Sequence, residues 1–246
     1  MRTYAIGDIH GRLALLRGAH ALIEADRRAT GDRGAPVVHV GDLVDRGPDS
    51  RGAIEHLMAG QARGEPWVVL KGNHDRMFAG FLDDPAYHDS GLRRDLAWMH
   101  PRLGGAATLA SYGVPNAGDR PVAPVRAEAV AAVPSAHRAW IAGLPLMLRR
   151  AEAVFVHAGI LPGVPLDRQV EDDLLWIREP FLSDRRDFGA LVVHGHTVVE
   201  RVAHHGNRVN LDTGAGYGGP LSAVVIEGRA VFLLTEAGRV PVPPRS

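Results

Sequence analysis

The chain reads as an α/β fold whose first half is parallel and whose last third is more antiparallel. Apolar runs at residues 3–6, 36–40, 67–70, 153–156 and 191–193 each stop at a short polar turn containing or flanked by glycine. Short continuous apolar runs with such stops mark strands buried on both faces. Helical spacing separates the first three runs, with Leu13, Leu16 and Ile23 on one face and Ile54, Leu57 and Met58 on another. Strand–helix–strand alternation of this length reads as βαβ units. Beyond His157 the runs at 209–211, 221–226 and 230–234 follow closely, with Glu227-Gly228 as a tight turn before the last.

Residues from about 76 to 148 are rich in Ala, Arg and helical patterning. They read as a helical excursion between the third and fourth core strands, with 115–124 as its loop-like middle. The tail, 240–246, holds three prolines and is expected to fray. No repeat or linker divides the sequence, so 1–246 is expected to form one domain.

Bulk properties narrow the function. The chain has 246 residues, 46% hydrophobic and 23% charged, enough for an ordinary core. Lys+Arg and Asp+Glu both number 28, so no global field draws the chain to nucleic acid or an anionic membrane. The first strand reaches Asp8 too soon for a signal peptide, and no 18-residue apolar run exists, so a cytoplasmic location is expected. Cysteine is absent, which excludes disulfides and thiolate metal sites. Histidine is plentiful at 13, and where it falls matters.

Each of the five strand ends carries metal-binding side chains. Gly7-Asp8-Ile9-His10-Gly11 offers a carboxylate and an imidazole two residues apart, on one side of an extended segment. Gly41-Asp42-Leu43-Val44-Asp45-Arg46-Gly47 offers two carboxylates and a guanidinium, and one carboxylate can bridge two cations. Gly72-Asn73-His74-Asp75 adds an amide oxygen and an imidazole; His157 and His196 each add another imidazole. A lone Asp after a strand is usually a helix cap, and a lone His a surface or core residue. Five such coincidences at five strand ends favour a metal site, and open α/β sheets build sites there. An oxygen and nitrogen donor set suits Mn, Fe or Zn better than Ca or Mg. His20, His39, His56, His88, His100, His137, His204 and His205 fall outside these motifs and read as structural or surface residues, and His194 as a core or supporting one.

In this order, GDIHG, GDLVDRG, GNHD, HAG, HGHT and LDTGAGYGG resemble the phosphoprotein phosphatase family of calcineurin-like metallophosphoesterases, over residues 7–219. The HGHT and DTG signatures and the short length are most similar to bacterial and bacteriophage serine/threonine phosphatases. The resemblance implies a sandwich of two mixed β-sheets flanked by helices, holding two divalent metal ions, with manganese expected. It implies that Asp8 and His10 bind the first metal, Asp42 bridges, and Asn73, His157 and His196 bind the second. His74 would be the general acid, with Asp45 hydrogen-bonded to it, and Arg46 would hold phosphate oxygens. Trp176-Ile177-Arg178 resembles a tryptophan–x–arginine segment of the bacteriophage-type members, so Arg178 would be a second phosphate clamp. Tyr217 matches an aromatic near the site only loosely.

The expected chemistry is metal-dependent hydrolysis of phosphomonoesters by direct attack of a hydroxide bridging two cations, with no phosphoenzyme. The expected substrate is phosphoserine or phosphothreonine in proteins, with diadenosine tetraphosphate or another small phosphoester as the alternative. One residue departs from the phosphoprotein phosphatase pattern, which usually has Glu after GNH. Here Asp75 stands there, as in symmetrical diadenosine tetraphosphatases.

Overall fold

The computed structural model describes residues 1–32 and 34–245. In chain order the elements are β1 (Arg2–Ile6), α1 (Leu13–Thr30), β2 (Val37–His39), α2 (Ser50–Ala62), β3 (Trp67–Val69), α3 (Asn73–Asp83), α4 (Gly105–Ser111), α5 (Val122–Ala132) and α6 (Ser135–Ala142). They continue with β4 (Met147–Arg150), β5 (Ala153–Val156), α7 (Glu171–Trp176), β6 (Leu191–His194), β7 (Ala203–His204), β8 (Arg208–Asn210), β9 (Ala223–Glu227), β10 (Ala230–Thr235) and β11 (Gly238–Pro241).

Two mixed sheets result, in strand orders β11-β10-β9-β1-β2-β3 and β4-β5-β6-β8-β7. Strands β1, β2 and β3 are parallel, as are β5, β6 and β8. Period-two alternation assigns each strand's two faces. Tyr4 and Ile6 of β1, Val37 of β2 and Val225 of β9 join the cluster under α1, α2 and α3. Their neighbours Ala5, Val38 and Val224 face the second sheet, where they meet Phe155, Leu191 and Val193. Val154, Val156 and Val192 point outward and are covered by Leu174, Ile177 and Phe181. Both sheets are thus apolar on two faces where they are parallel, which explains the unbroken apolar runs.

Three expectations need adjustment. The excursion's last helix ends at Ala142, and Leu148 lies in β4, paired with Phe155. The stretch expected as its loop-like middle holds a 3-10 turn at Ala117–Asp119 and the start of α5. The tail does not fray from Val240: β11 pairs with β10, Val242 N donates to Val231 O, and Arg245 N donates to His204 O. Proline is compatible with an edge strand, where its missing N–H costs no ladder bond. Among the described residues no helix is long and apolar enough to cross a membrane.

Candidate metal centre and active site

The carboxyl ends of both parallel strand sets open on one cleft of about 330 Å³. Asp8, His10, Asp42, Arg46, Asn73, His74, Arg178 and His196 line it. Asp45 and His157 stand directly behind them, each fully buried.

Tight loops rather than extended strands aim these groups. Ile9 N and His10 N both donate to Asp42 O, and Gly11 N donates to Leu43 O, which wraps the first loop onto the second. His10 therefore takes φ +46°, and Asp8 and His10 converge by a turn rather than by the side-to-side alternation expected of an extended segment. Asp42, Asp45, Arg46 and His196 also have positive φ, a region costly for non-glycine residues and concentrated at functional sites. Gly72 and Gly195 permit the close approach. A Cβ on Gly72 would collide with Asp42, and one on Gly195 with Asp8 Oδ1.

The donors form two groups that share Asp42. His157 Nε2 lies 2.8 Å from Asn73 Oδ1 and 3.4 Å from Asp42 Oδ1, and His196 Nδ1 lies 2.9 Å from Asn73 Oδ1. On the other side, His10 Nε2 lies 3.5 Å from Asp42 Oδ2. Donors around a cation with bonds of about 2.1 Å lie about 3–3.4 Å apart, so these spacings suit coordination. Asp42 lies between the two groups, with Oδ1 toward His157 and Oδ2 toward His10, where one carboxylate could serve both. His10, Asp42 and His74 form one cluster able to hold a metal, and Asp42, His157 and His196 another. His10 Nδ1–H donates to Val44 O (2.8 Å) and His157 Nδ1–H to Val40 O (3.0 Å), which leaves both Nε2 lone pairs facing the site. Asp8 Oδ2 accepts His196 N at 3.0 Å, while Asp8 Oδ1 and His196 Nε2 are buried without a partner.

Charge makes the same argument. Burial pushes the Asp8 carboxyl well above the usual range, and Asp212 and Asp42 push it further. Burial also raises Asp212, to about 6. Burial opposes ionisation of Asp42 as well, and the imidazoles around it, His157 first, favour its carboxylate only when they are protonated. Burial keeps His10, His157 and His196 neutral, as ligands must be. Crowded carboxylates and neutral imidazoles fit a centre completed by cations.

A family model for calcineurin-like phosphoesterases matches residues 1–224. The chain belongs to this family. It is similar to serine/threonine-protein phosphatase 1 of Salmonella typhimurium, at 30% identity over 92% of both chains. It is equally similar to the asymmetrical bis(5'-nucleosyl)-tetraphosphatase PrpE of Geobacillus thermodenitrificans, at 30% identity over 91% of this chain and 90% of that one. A crystal structure assigned provisionally as a diadenosine tetraphosphatase superposes with a TM-score of 0.61 over 98% of this chain and 94% of that one, at 24% identity. The family binds a dinuclear divalent centre, and the donors described above fit one.

Other parts of this phosphoesterase site are less expected. Arg46 Nη2 lies 2.9 Å from His74 Nε2, Arg46 Nη1 touches His10 Nε2, and the guanidinium lies 4.6 Å from the Tyr217 ring centroid. A cation on His10 therefore requires that guanidinium to withdraw toward the cleft. Tyr217 is 65% exposed at the cleft mouth, not packed in the core. His194 is buried, with its ring edge-on to Phe181, and does not line the cleft. Asp212 does line it, two residues after the end of β8. It sits inside the LDTG motif, and its place after a strand was the signal for it. The excursion contributes Leu96, Arg102 and Leu103. Asp75 does not line the cleft. Its oxygens accept Leu43 N (2.9 Å) and Gly72 N (2.8 Å), so it braces the loops that carry the donors.

Proposed function

We propose that this phosphoesterase hydrolyses phosphomonoesters, phosphoserine and phosphothreonine of proteins above all, in the cytoplasm, with manganese as the metal. The observation that carries the hydrolytic part of this reading is the His74–Asp45 pair. His74 Nδ1–H donates to Asp45 Oδ2 at 2.6 Å, and the ring lines the cleft beside both donor groups. Asp8, His10 and Asp42 would hold one cation and Asp42, Asn73, His157 and His196 the other. When bound, such cations supply Lewis-acid chemistry, easing deprotonation of water and neutralising phosphate oxygens.

The chain's own side chains do the rest. Arg46 and Arg178 bind the equatorial phosphate oxygens and orient the ester for in-line displacement. His74 delivers a proton from Nε2 to the departing alkoxide. Asp45 fixes the ring so that Nδ1–H points inward and Nε2 outward. Asp75 resembles the dinucleotide enzymes in type, but buried behind the loops it has no route to a substrate and does not count for them.

A second reading has its own observation. Leu96, Arg102 and Leu103 line the cleft with Tyr217 and Val198, so the excursion offers an apolar and cationic wall to a small ligand such as a dinucleoside polyphosphate. The test compares kcat/KM of metal-reconstituted protein for a phosphoserine peptide and for diadenosine tetraphosphate. The peptide should win. An advantage of about 100-fold for the dinucleotide, roughly 2.7 kcal/mol of transition-state binding, overturns the phosphoprotein reading and leaves the phosphoesterase chemistry standing.

A further inference from the structure

The Asp45 carboxylate is completely buried, and two of its three side-chain donors come from the excursion. Trp98 Nε1–H donates to Asp45 Oδ2 at 2.8 Å, the same oxygen that accepts His74 Nδ1–H. Thr108 Oγ1–H donates to Asp45 Oδ1 at 2.7 Å, and Thr108 Oγ1 accepts the Asp45 backbone amide at 2.8 Å. Ser50 Oγ, 3.1 Å from Thr108 Oγ1, completes the group. Neither Trp98 nor Thr108 lines the cleft.

Both donors are themselves fixed. The Trp98 ring packs on Phe78 and Phe81, with centroids at 5.5 and 4.7 Å, and both phenylalanines belong to α3. That helix also carries His74. Thr108 is fully buried within α4. The acid's helix, its carboxylate partner and the excursion thus form one packed unit.

We propose that Trp98 and Thr108 are positioning residues for proton delivery: by fixing the Asp45 carboxylate they hold His74 Nε2 in register with the departing oxygen. The excursion is then part of the catalytic apparatus as well as a wall of the cleft. The inference rests on the reading of His74 as the proton donor. In that step the P–O bond breaks with its electron pair on the leaving oxygen. The proton passes from Nε2 to that oxygen, water supplies the hydroxyl that ends on phosphorus, and the water's other proton goes to solvent, from which His74 is reprotonated. With two other donors on its oxygens, Asp45 has less tendency to pull the Nδ1 proton toward itself and cannot rotate out of the imidazole plane. Both effects hold Nε2 toward the cleft, where it can carry the proton once Arg46 Nη2, 2.9 Å away, turns to the phosphate.

The effect should depend on the leaving group, which a merely structural contact would not. Alkyl alkoxides need the proton; nitrophenolate hardly does. Trp98→Phe keeps the ring packing and deletes the N–H, and Thr108→Val removes the hydroxyl at nearly constant volume. In the metal-loaded enzyme each should lower kcat for an alkyl phosphate or phosphoserine peptide by about 10- to 100-fold, the scale of one hydrogen bond to a charged group. Each should lower kcat for nitrophenyl phosphate by less than about twofold, with KM unchanged for both. Thr108→Ser should restore most of the loss. Equal losses on both ester types, or folded variants with no loss, overturn the proposal. If Trp98→Phe does not fold, the Thr108→Val and Thr108→Ser pair decides. His74→Asn separates the two levels of argument. A leaving-group-independent loss there rejects the proton-donor reading, whereas a selective loss there without one in the Trp98 and Thr108 variants rejects only the positioning.

Discussion

Asp75 Oδ1 accepts the backbone amide of Leu43 at 2.9 Å, which ties the start of α3 to the loop carrying Asp42 and Asp45. Its other oxygen accepts Gly72 N, so one buried carboxylate satisfies two buried amides. Asp75→Asn would turn one acceptor into a donor facing an N–H. Leaving a buried amide unpaired costs about 1–3 kcal/mol. Denaturant midpoints should fall accordingly. The ratio of kcat/KM values for phosphopeptide and dinucleotide should stay within about twofold, well under 1 kcal/mol of discrimination. A changed ratio would mean that Asp75 reports on substrate after all.

His74→Asn should lower kcat for an alkyl phosphate by about 10²–10⁴-fold, the usual contribution of a general acid. Metal content should be nearly unchanged, because His74 Nδ1 is engaged by Asp45 rather than free to coordinate. His74 nevertheless lies in one metal-competent cluster with His10 and Asp42, so elemental analysis is a real test. Loss of one metal equivalent would reassign His74 as a ligand.

The residues that gather at the candidate site were legible because each lies next to its own strand end. Asp8, His10, Asp42, Asn73, His157 and His196 each follow a short apolar run, and the fold brings parallel strand ends together. Trp98 and Thr108 were not legible. They reach Asp45 from 53 and 63 residues away, and nothing in their own neighbourhood encodes that contact. Strand β4 was hidden for another reason: Met-Leu-Arg-Arg on a sheet edge has neither an apolar run nor clean alternation. Strand β11 was masked by Pro241 at its end and the two prolines that follow it, which forbid a central strand but not an edge.

Asp42→Asn should be more damaging than Asp8→Asn. Asp42 presents Oδ1 toward His157 and Oδ2 toward His10, so neutralising it disturbs both donor groups, while Asp8 serves one. After extensive dialysis, metal analysis should find both equivalents depleted in Asp42→Asn and one retained in Asp8→Asn. Two tightly held metals in Asp42→Asn would rule out the bridging role.

A chain of three imidazoles crosses the core away from the cleft. Val68 O can only accept, so His39 Nδ1–H donates to it at 3.2 Å. Neutral His39 then accepts His20 Nε2–H at 2.9 Å, and His20 Nδ1 accepts His56 Nε2–H at 2.9 Å. His20 also stacks on Trp67, with ring centroids 4.1 Å apart. Burial, then His39, His56 and Arg27, push His20 down to about 2; burial, outweighing the Val68 hydrogen bond, lowers His39 to about 4. Burial lowers His56 too, helped by Arg17 and Arg63. The folded chain therefore stays neutral while the unfolded histidines take up protons below about pH 6.5. Stability is full above that pH and is lost as pH falls toward 4, by roughly 1–2 kcal/mol per buried histidine between pH 7 and 5. His20→Leu should lower stability at pH 7.5 and flatten the slope between pH 7 and 5. An unchanged slope would place the acid sensitivity elsewhere.

The last prediction concerns Arg102, which is exposed and lines the cleft with Leu96 and Leu103. Arg46 and Arg178 already face the same cleft, so Arg102 is best placed to meet a second anionic group beyond the scissile phosphate. That group would be an acidic side chain next to phosphoserine, or the rest of a polyphosphate chain. Arg102→Ala should leave nitrophenyl phosphate turnover unchanged, because that substrate carries no second charge. It should lower kcat/KM about two- to tenfold for a phosphopeptide with acidic flanking residues or for diadenosine tetraphosphate, the modest scale of an exposed ion pair. The difference should shrink with added salt, since exposed charges are screened over about 8–10 Å at physiological ionic strength. A peptide with neutral flanks is the control within the peptide series, and it should behave like the aryl phosphate. If Arg102→Ala slows all four substrates alike, the arginine contacts the scissile phosphate itself, and the excursion supplies a transition-state group rather than a selectivity wall.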